Sequence, residues 1–336
     1  MKVTDRNDLD RRIWEDELAG FVPEQIFDAH VHVYDPSHCF TKKEDTPSEY
    51  MSWWDRPISY LDRAAVDEFY GSLFPGRKVS YLMMGYPFLR GDLDAANRFT
   101  ARQAADDPKS VAFMMVRPDF SAENVARAID EHGFRGLKPY RWYAADADNS
   151  GIMEFLPEHL IEVANDKELV VTLHLSKKSA IADEDNLNDL AYLTKRYPKV
   201  RWNLAHMARC LVPWPLEKAM DRLKELPNIW LDFSSVTISD VFALALKNLP
   251  TDRIMYGSDL PIGVQRGQYV GFGYAWALLD EKRIPVLELA HCDGRPTFIS
   301  YETLRAVRRA ILAQGLGQQE IENIFCNNAL KLLGLG

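Results

Sequence analysis

Ile26-Phe27-Asp28-Ala29-His30-Val31-His32-Val33 decides how the rest of the chain is read. It is a short apolar run carrying two histidines at i and i+2. In a β-strand, successive side chains point to opposite faces, so His30 and His32 share one face about 6–7 Å apart. Two imidazoles so placed can meet a single metal ion. An H-x-H alone is equally the mark of two half-buried or surface histidines, so its meaning depends on what recurs further along.

After this strand comes a long segment and then an alternation. Residues 34–77 exceed an ordinary connection and read as an insertion over the end of the first strand, with Trp53-Trp54 packing it onto the body and a helix from Leu61 to Tyr70. From there, apolar runs at 79–84, 111–116, 134–138, 169–174, 200–206, 229–233 and 254–259 are separated by stretches of helix length. The predicted helices are 93–105, 122–132, 158–165, 187–196, 216–226 and 241–247. Ser121 stands as an N-cap and Gly133 as a stop for the second of these.

Near-continuous apolar strands alternating with helices imply parallel strands covered on both faces. Eight such units predict an α/β fold, a (β/α)₈ TIM barrel, with the insertion at 34–77 and a helical C-terminal tail at 303–336 packed across its outside. A doubly wound open sheet is the alternative, weakened because no G-x-G-x-x-G follows the first strand. No repeat, low-complexity tract or linker divides the chain, which reads as one domain over 1–336. Residues 1–25 read as a mobile arm or a lead-in helix.

Composition narrows the function. A formal net charge of −9 disfavours nucleic acid as the main partner. No apolar run approaches the ~18 residues of a transmembrane helix, and the charged start lacks a signal-peptide core. Cys39, Cys210, Cys292 and Cys326 are too scattered for a disulfide framework and suit a reducing cytoplasm. The expected partner is a small-molecule substrate, with a homo-oligomer through the insertion or tail as the further option.

In such a barrel the chemistry sits at the C-terminal ends of the strands. Those ends carry His30 and His32, Lys138, His174, His206 and Asp259. Taken singly, each has a bland explanation: a satisfied strand-end histidine, a capping residue, a turn aspartate before Leu260-Pro261. Taken together they form a metal-ligating set suited to zinc or another first-row divalent ion, which lowers the pKa of a bound water. Lys138 could pair with a substrate anion, neutralise a carboxylate, or be carboxylated and bridge a second metal. His38, His132, His159 and His291 fall away from these ends. Arg141, Arg266 and Arg295 lie in predicted loops and are candidates to clamp a substrate carboxylate, as are Arg117 and Arg209 near strand ends. The competing reading of each is a solvated surface charge.

These residues also carry a likeness. Asp28-Ala29-His30-Val31-His32, Gly136-Leu137-Lys138-Pro139, Leu173-His174, Leu204-Ala205-His206 and Tyr256-Gly257-Ser258-Asp259-Leu260-Pro261 resemble the amidohydrolase-related branch of the amidohydrolase superfamily, and the closing Asn328–Gly334 stretch is similar to that branch's last helix. The likeness spans about residues 26–334. It implies that His30, His32, His174 and Asp259 hold one divalent ion, zinc before manganese, with a second ion only if Lys138 is carboxylated. It implies that His206, with Asp259, is catalytic, His206 orienting the water or stabilising developing charge. The branch holds metal-dependent hydrolases, lactonases and non-oxidative decarboxylases, some working without metal. The expectation is therefore a metal-dependent hydrolase of a small lactone or amide bearing a carboxylate or hydroxyls. The alternative is a decarboxylase of a small carboxylic acid, and a non-catalytic metal-binding barrel is the third option.

Overall fold

The computed structural model describes residues 5–40 and 60–336. The Trp53-Trp54 pair lies outside the described residues. Eight parallel strands run in sequence order around a barrel: β1 (Gln25–His32), β2 (Lys78–Met84), β3 (Val111–Val116), β4 (Gly136–Pro139), β5 (Val170–Leu173), β6 (Arg201–Leu204), β7 (Ile229–Asp232) and β8 (Ile254–Met255). The seam between the last strand and the first is closed by Ala29 N–H to Tyr256 C=O at 3.0 Å, Asp259 N–H to His30 C=O at 2.9 Å and His32 N–H to Leu260 C=O at 2.9 Å. The fold is the expected (β/α)₈ barrel.

Helices join the strands at the expected places. Ala122–His132 begins at Ser121, whose side chain accepts from Asn124 N–H, and ends at Gly133 with φ 69°. That left-handed terminus is a conformation glycine adopts without steric cost. Asp62, Asp92 and Asp183 cap the helices Arg63–Leu73, Leu93–Ala104 and Glu184–Arg196 in the same way, each offering a carboxylate to an early backbone N–H.

Alternation sorts each strand into an inner and an outer row. Phe27, Leu82, Val111, Phe113, Val170 and Met255 fill the barrel interior, while Val31, Met83, Met114, Leu137, Val171 and Leu231 pack outward on the helices. At β4 the interior leaves no room for a side chain, since a Cβ on Gly136 would lie 2.4 Å from Val170 O and 2.5 Å from the Phe113 ring.

Two expectations are corrected and one stated alternative is decided. The tail, helical over Ile299–Ala313, Gln318–Glu322 and Asn328–Leu333, does not end on the barrel's outside. Ala329, Leu332 and Leu333 cluster with Phe27, Val111 and Val170, so the last helix plugs the N-terminal end of the barrel and covers apolar strand starts that water would otherwise reach. Over residues 8–18 the N-terminal segment is the lead-in helix, Asp8–Ile13, continued by a π-turn at Trp14–Leu18 and anchored by buried Trp14 and Leu18, rather than a mobile arm. The stretch after strand 8 is not all loop. β9 (Gly267–Phe272) and β10 (Ala275–Asp280) form an antiparallel hairpin around Gly273-Tyr274, and its signal was a glycine at a two-residue turn flanked by apolar runs.

All four cysteines are free. No helix among the described residues is long and apolar enough to cross a membrane.

Candidate functional site

Alternation alone does not send His30 and His32 inward. Phe27 and Ala29 face the barrel interior, so an unbroken strand would turn both histidines, with Asp28, toward the helices. Instead, the pairing of β1 with β2 slips by one residue between Asp28 and Val31. This bulge resets the parity, and both histidines enter the mouth. Asp28 stays outside, where its carboxylate accepts from His30 N–H at 3.0 Å, Ser258 N–H at 2.9 Å and the Tyr70 hydroxyl. Burial raises its pKa to about 6 in spite of those bonds. Asp28 thus ties the ends of the first and eighth strands together and anchors the helix Arg63–Leu73 to them.

Inside the mouth, His30 Nε2 and His32 Nε2 lie 3.7 and 3.6 Å from Asp259 Oδ1. The other ring nitrogens are committed. His32 Nδ1 donates to Gly85 C=O at 2.7 Å, and His30 Nδ1 to Asp232 Oδ2 at 3.1 Å. A carbonyl and a carboxylate can only accept, so a ring proton sits on each Nδ1, and it is Nε2 of both rings that faces Asp259, with a lone pair there in the neutral imidazole. Lys138 Nζ is 3.3 Å from His30 Nε2. Its burial is complete and pulls its pKa down to about 8 against the opposing pull of Asp232 and Asp259.

Asp232, at the end of β7, was missed at the level of sequence. It is fully buried and accepts from His30 Nδ1, Asn203 Nδ2 at 2.9 Å, His206 N–H at 3.3 Å, and both Ser234 N–H and the Ser234 hydroxyl. Burial alone would raise its pKa, but His30 and these donors outweigh it and hold the carboxyl low. With its lone pairs so occupied, Asp232 orients the histidines. The available signal was its place: a lone carboxylate closing an apolar strand, as Asp259 closes the next.

His206 follows β6 on an unusual turn. His206, Met207, Ala208 and Arg209 all have positive φ, between 53° and 63°, a left-handed turn that costs roughly 1–2 kcal/mol per non-glycine residue. Asp259 and Ser235 are left-handed too. Such conformations persist only where the surroundings over-determine them, and they gather at working sites. His206 Nδ1 faces Ser234 C=O at 3.0 Å and Ser234 Oγ at 2.9 Å. Because the Ser234 hydroxyl proton goes to Asp232, His206 carries its proton on Nδ1 and presents an Nε2 lone pair. Burial lowers its pKa, Asp259 opposing only in part, so the ring is neutral at pH 7.

His174 stacks on Tyr140 with centroids 5.3 Å apart and meets His206 edge-on at 5.1 Å. Its Nδ1 is buried without a hydrogen-bond partner. Burial first, then His206 and the cations Arg209, Arg141 and Lys138, hold its pKa well below 6.5. It stands beside the cluster of His30, His32 and Asp259, whose ligand atoms lie within 4.8 Å of one another.

The arginines divide. Arg141 and Arg209 line a cavity of about 250 Å³ together with His30, His32, His206 and Asp259. Arg266 and Arg295 are drawn away: Arg266 pairs with Asp10 and Arg295 with Asp8 and Asp293, fastening the N-terminal helix to the body. Neither lines the cavity, so the structure does not support their part in a substrate clamp. Arg117 pairs with Asp119.

The sequence matches the Amidohydrolase family over residues 27–335. The chain belongs to the amidohydrolase family. No curated protein matches it. Among solved structures, this amidohydrolase superposes on 4-oxalomesaconate hydratase from Rhodopseudomonas palustris with a TM-score of 0.55 and 16% identity, covering 92% of this chain and 96% of that one. A probable 2-pyrone-4,6-dicarboxylic acid hydrolase from Acinetobacter baumannii, with citric acid bound, gives 0.57 and 14% over 92% and 99%. A 5-carboxyvanillate decarboxylase from Novosphingobium aromaticivorans, complexed with manganese, gives 0.56 and 15% over 94% and 97%. At such identities the likeness establishes the barrel.

The amidohydrolase's mouth fits a divalent ion on its own chemistry. Two imidazole lone pairs and a carboxylate oxygen converge, each histidine is oriented from behind, and His174 offers a buried, unpartnered nitrogen close by. Nitrogen and oxygen donors with oriented imidazoles are what zinc and manganese sites require.

Proposed function

We propose that this amidohydrolase is a metal-dependent hydrolase of a small polar substrate, a lactone or amide that carries a carboxylate or hydroxyls. The observation that carries the reading is the convergence of the His30 and His32 Nε2 lone pairs on Asp259 Oδ1, with the neutral His206 in the same mouth. His30, His32 and Asp259 would hold one ion, zinc before manganese, with His174 as the further ligand. A second ion enters only if Lys138 is carboxylated. When bound, the ion supplies Lewis acidity toward the scissile carbonyl and a nucleophile at neutral pH.

The chain's residues supply the rest. Asp259 Oδ2 accepts from the Ser235 hydroxyl at 3.2 Å, a bond that steadies the carboxylate as it takes the proton of the attacking water and passes it to the leaving group. His206, an acceptor at Nε2, orients that water; the lone pair argues against its stabilising negative charge by donating a hydrogen bond. Lys138, kept in the mouth by burial, offers its ammonium to a substrate oxygen.

Decarboxylation of a small carboxylic acid is the second reading. It is favoured by the aromatic lining of the cavity, Tyr86, Tyr140 and Trp142, which suits a flat conjugated acid. The structurally similar 5-carboxyvanillate decarboxylase points the same way. Metal analysis of protein purified without chelator, followed by a screen of lactones, amides and aromatic acids scored for acid release and for CO₂ release, tests both. Acid release supports hydrolysis, and CO₂ release the second reading. No metal after reconstitution would refute the metal dependence that both readings assume.

A further inference from the structure

Beyond the histidine and aspartate cluster, the same mouth holds two guanidinium groups, Arg141 and Arg209. The left-handed turn is what brings Arg209 there. Cys210 N–H donates to His206 C=O at 3.0 Å, closing one turn. A mirror-image turn keeps the 3.6-residue period, so positions three apart share a face. His206 and Arg209 accordingly line the same cavity. Arg209 Nη1 donates to Leu175 C=O at 3.1 Å and Lys177 C=O at 2.6 Å, which holds the arm in place.

Arg141 arrives from the end of β4. Its Nη1 donates to Ala147 C=O at 2.8 Å and to the half-exposed Asp148 carboxylate, while its Nε is buried without a hydrogen-bond partner. Burial first, and then Arg141 itself, lower the pKa of Arg209 to about 10, with Asp148 only partly opposing. Two guanidiniums in one cavity, with the half-exposed Asp148 as their opposing carboxylate among the described residues, are an unfavourable arrangement unless an anion joins them. Planar forks of N–H donors match a carboxylate in shape as well as in charge. The same cavity has flat walls: Tyr140 and Trp142, with centroids 4.7 Å apart, and Tyr86.

We propose that Arg141 and Arg209 form a subsite for a substrate carboxylate that does not react, so that the substrate is a planar conjugated acid, about one ring in size, whose reacting carbonyl or carboxyl group faces His30, His32 and Asp259 while its spectator carboxylate sits on the arginines. The size is set by the cavity of about 250 Å³. The proposal rests on reading this mouth as the active site, and holds for hydrolysis and decarboxylation alike.

The test measures binding of isophthalate and of the uncharged isophthalamide to the metal-loaded protein by calorimetry. Wild type should bind isophthalate at least about tenfold more tightly, and Arg141→Gln and Arg209→Gln should each remove about tenfold of that affinity. Metal content should be unchanged in both. Arg209 also holds two carbonyls, so thermal melting accompanies each variant; Arg141→Gln, whose bonds go to the 147–148 turn, decides the matter if Arg209→Gln does not fold. Equal affinity for the two probes, or isophthalate affinity retained in Arg141→Gln, overturns the proposal. His30→Ala separates the two claims. Loss of isophthalate binding there but not in the arginine variants would place both carboxylates at the metal and overturn the clamp alone. Loss in the arginine variants, with metal content intact in His30→Ala, would overturn the metal assignment and leave the clamp standing.

Discussion

Asp232 stands behind His30. Its Oδ2 accepts the His30 Nδ1 proton at 3.1 Å, with both side chains within 1% of complete burial. The bond fixes the tautomer that turns Nε2 toward Asp259, and with it the ability of the first histidine to act as a ligand. Asp232→Asn keeps the shape but introduces an amide N–H₂, which can donate where only an acceptor works. We expect the fold to survive and metal affinity to fall by about 10–100-fold, measured by competition with a chromogenic chelator. Unchanged affinity would show that Asp232 has no part in orienting the site.

His30→Ala and His206→Asn should separate holding the ion from using it. The first should empty the site by elemental analysis. The second should leave metal content at the wild-type level while turnover of whichever substrate the screen identifies falls by about 10²–10⁴-fold. Full occupancy in His30→Ala, or an unchanged rate in His206→Asn, would contradict the assigned roles.

The folded state keeps His174 neutral, its pKa held well below 6.5 first by burial and then by the cations around it. In the metal-free protein this makes acid destabilising. Above pH 6.5 neither state is protonated at this ring and nothing is lost. As pH falls below 6.5 the unfolded chain takes up a proton that the folded site refuses, so stability declines by up to about 1.4 kcal/mol per pH unit from this one group. His206 acts in the same direction. Denaturant titrations between pH 7 and pH 5 should show the decline, and His174→Phe should reduce its slope by about one proton. An equal slope in the variant would disprove the assignment.

Gly136 is set by packing, since its Cβ would collide with the Val170 carbonyl and the Phe113 ring. Gly136→Ala should cost about 1–3 kcal/mol, read as a lowered denaturation midpoint at unchanged m-value. A neutral result would mean that β4 and β5 can part more easily than their pairing implies.

Much of this site was legible in one dimension because its candidate ligands stand at the ends of strands, and strands announce themselves as apolar runs. His30, His32, Lys138, His174, His206 and Asp259 could be picked out by position and residue type, and the structure brings all six to one mouth. Arg266 and Arg295 failed because a loop arginine carries no mark of where its partner lies. Asp10, the partner of Arg266, and Asp8, which joins the neighbouring Asp293 on Arg295, are more than 250 residues away in the chain. Arg209 was visible only as one of several strand-end charges until the left-handed turn placed it on the same face as His206.

The barrel, its family and the residue types at its mouth can be read along the chain, since alternation, helix caps and apolar burial are local or periodic properties. Tertiary structure alone decided which way those residues face. The bulge in β1 turns His30 and His32 from the helix layer into the barrel, and Asp232 and Ser234 choose the tautomers of His30 and His206. The same packing leaves Arg141 and Arg209 sharing one cavity. Each of these depends on contacts between segments far apart in sequence, where a shift of one residue reverses a side chain's direction, and no local pattern encodes that choice.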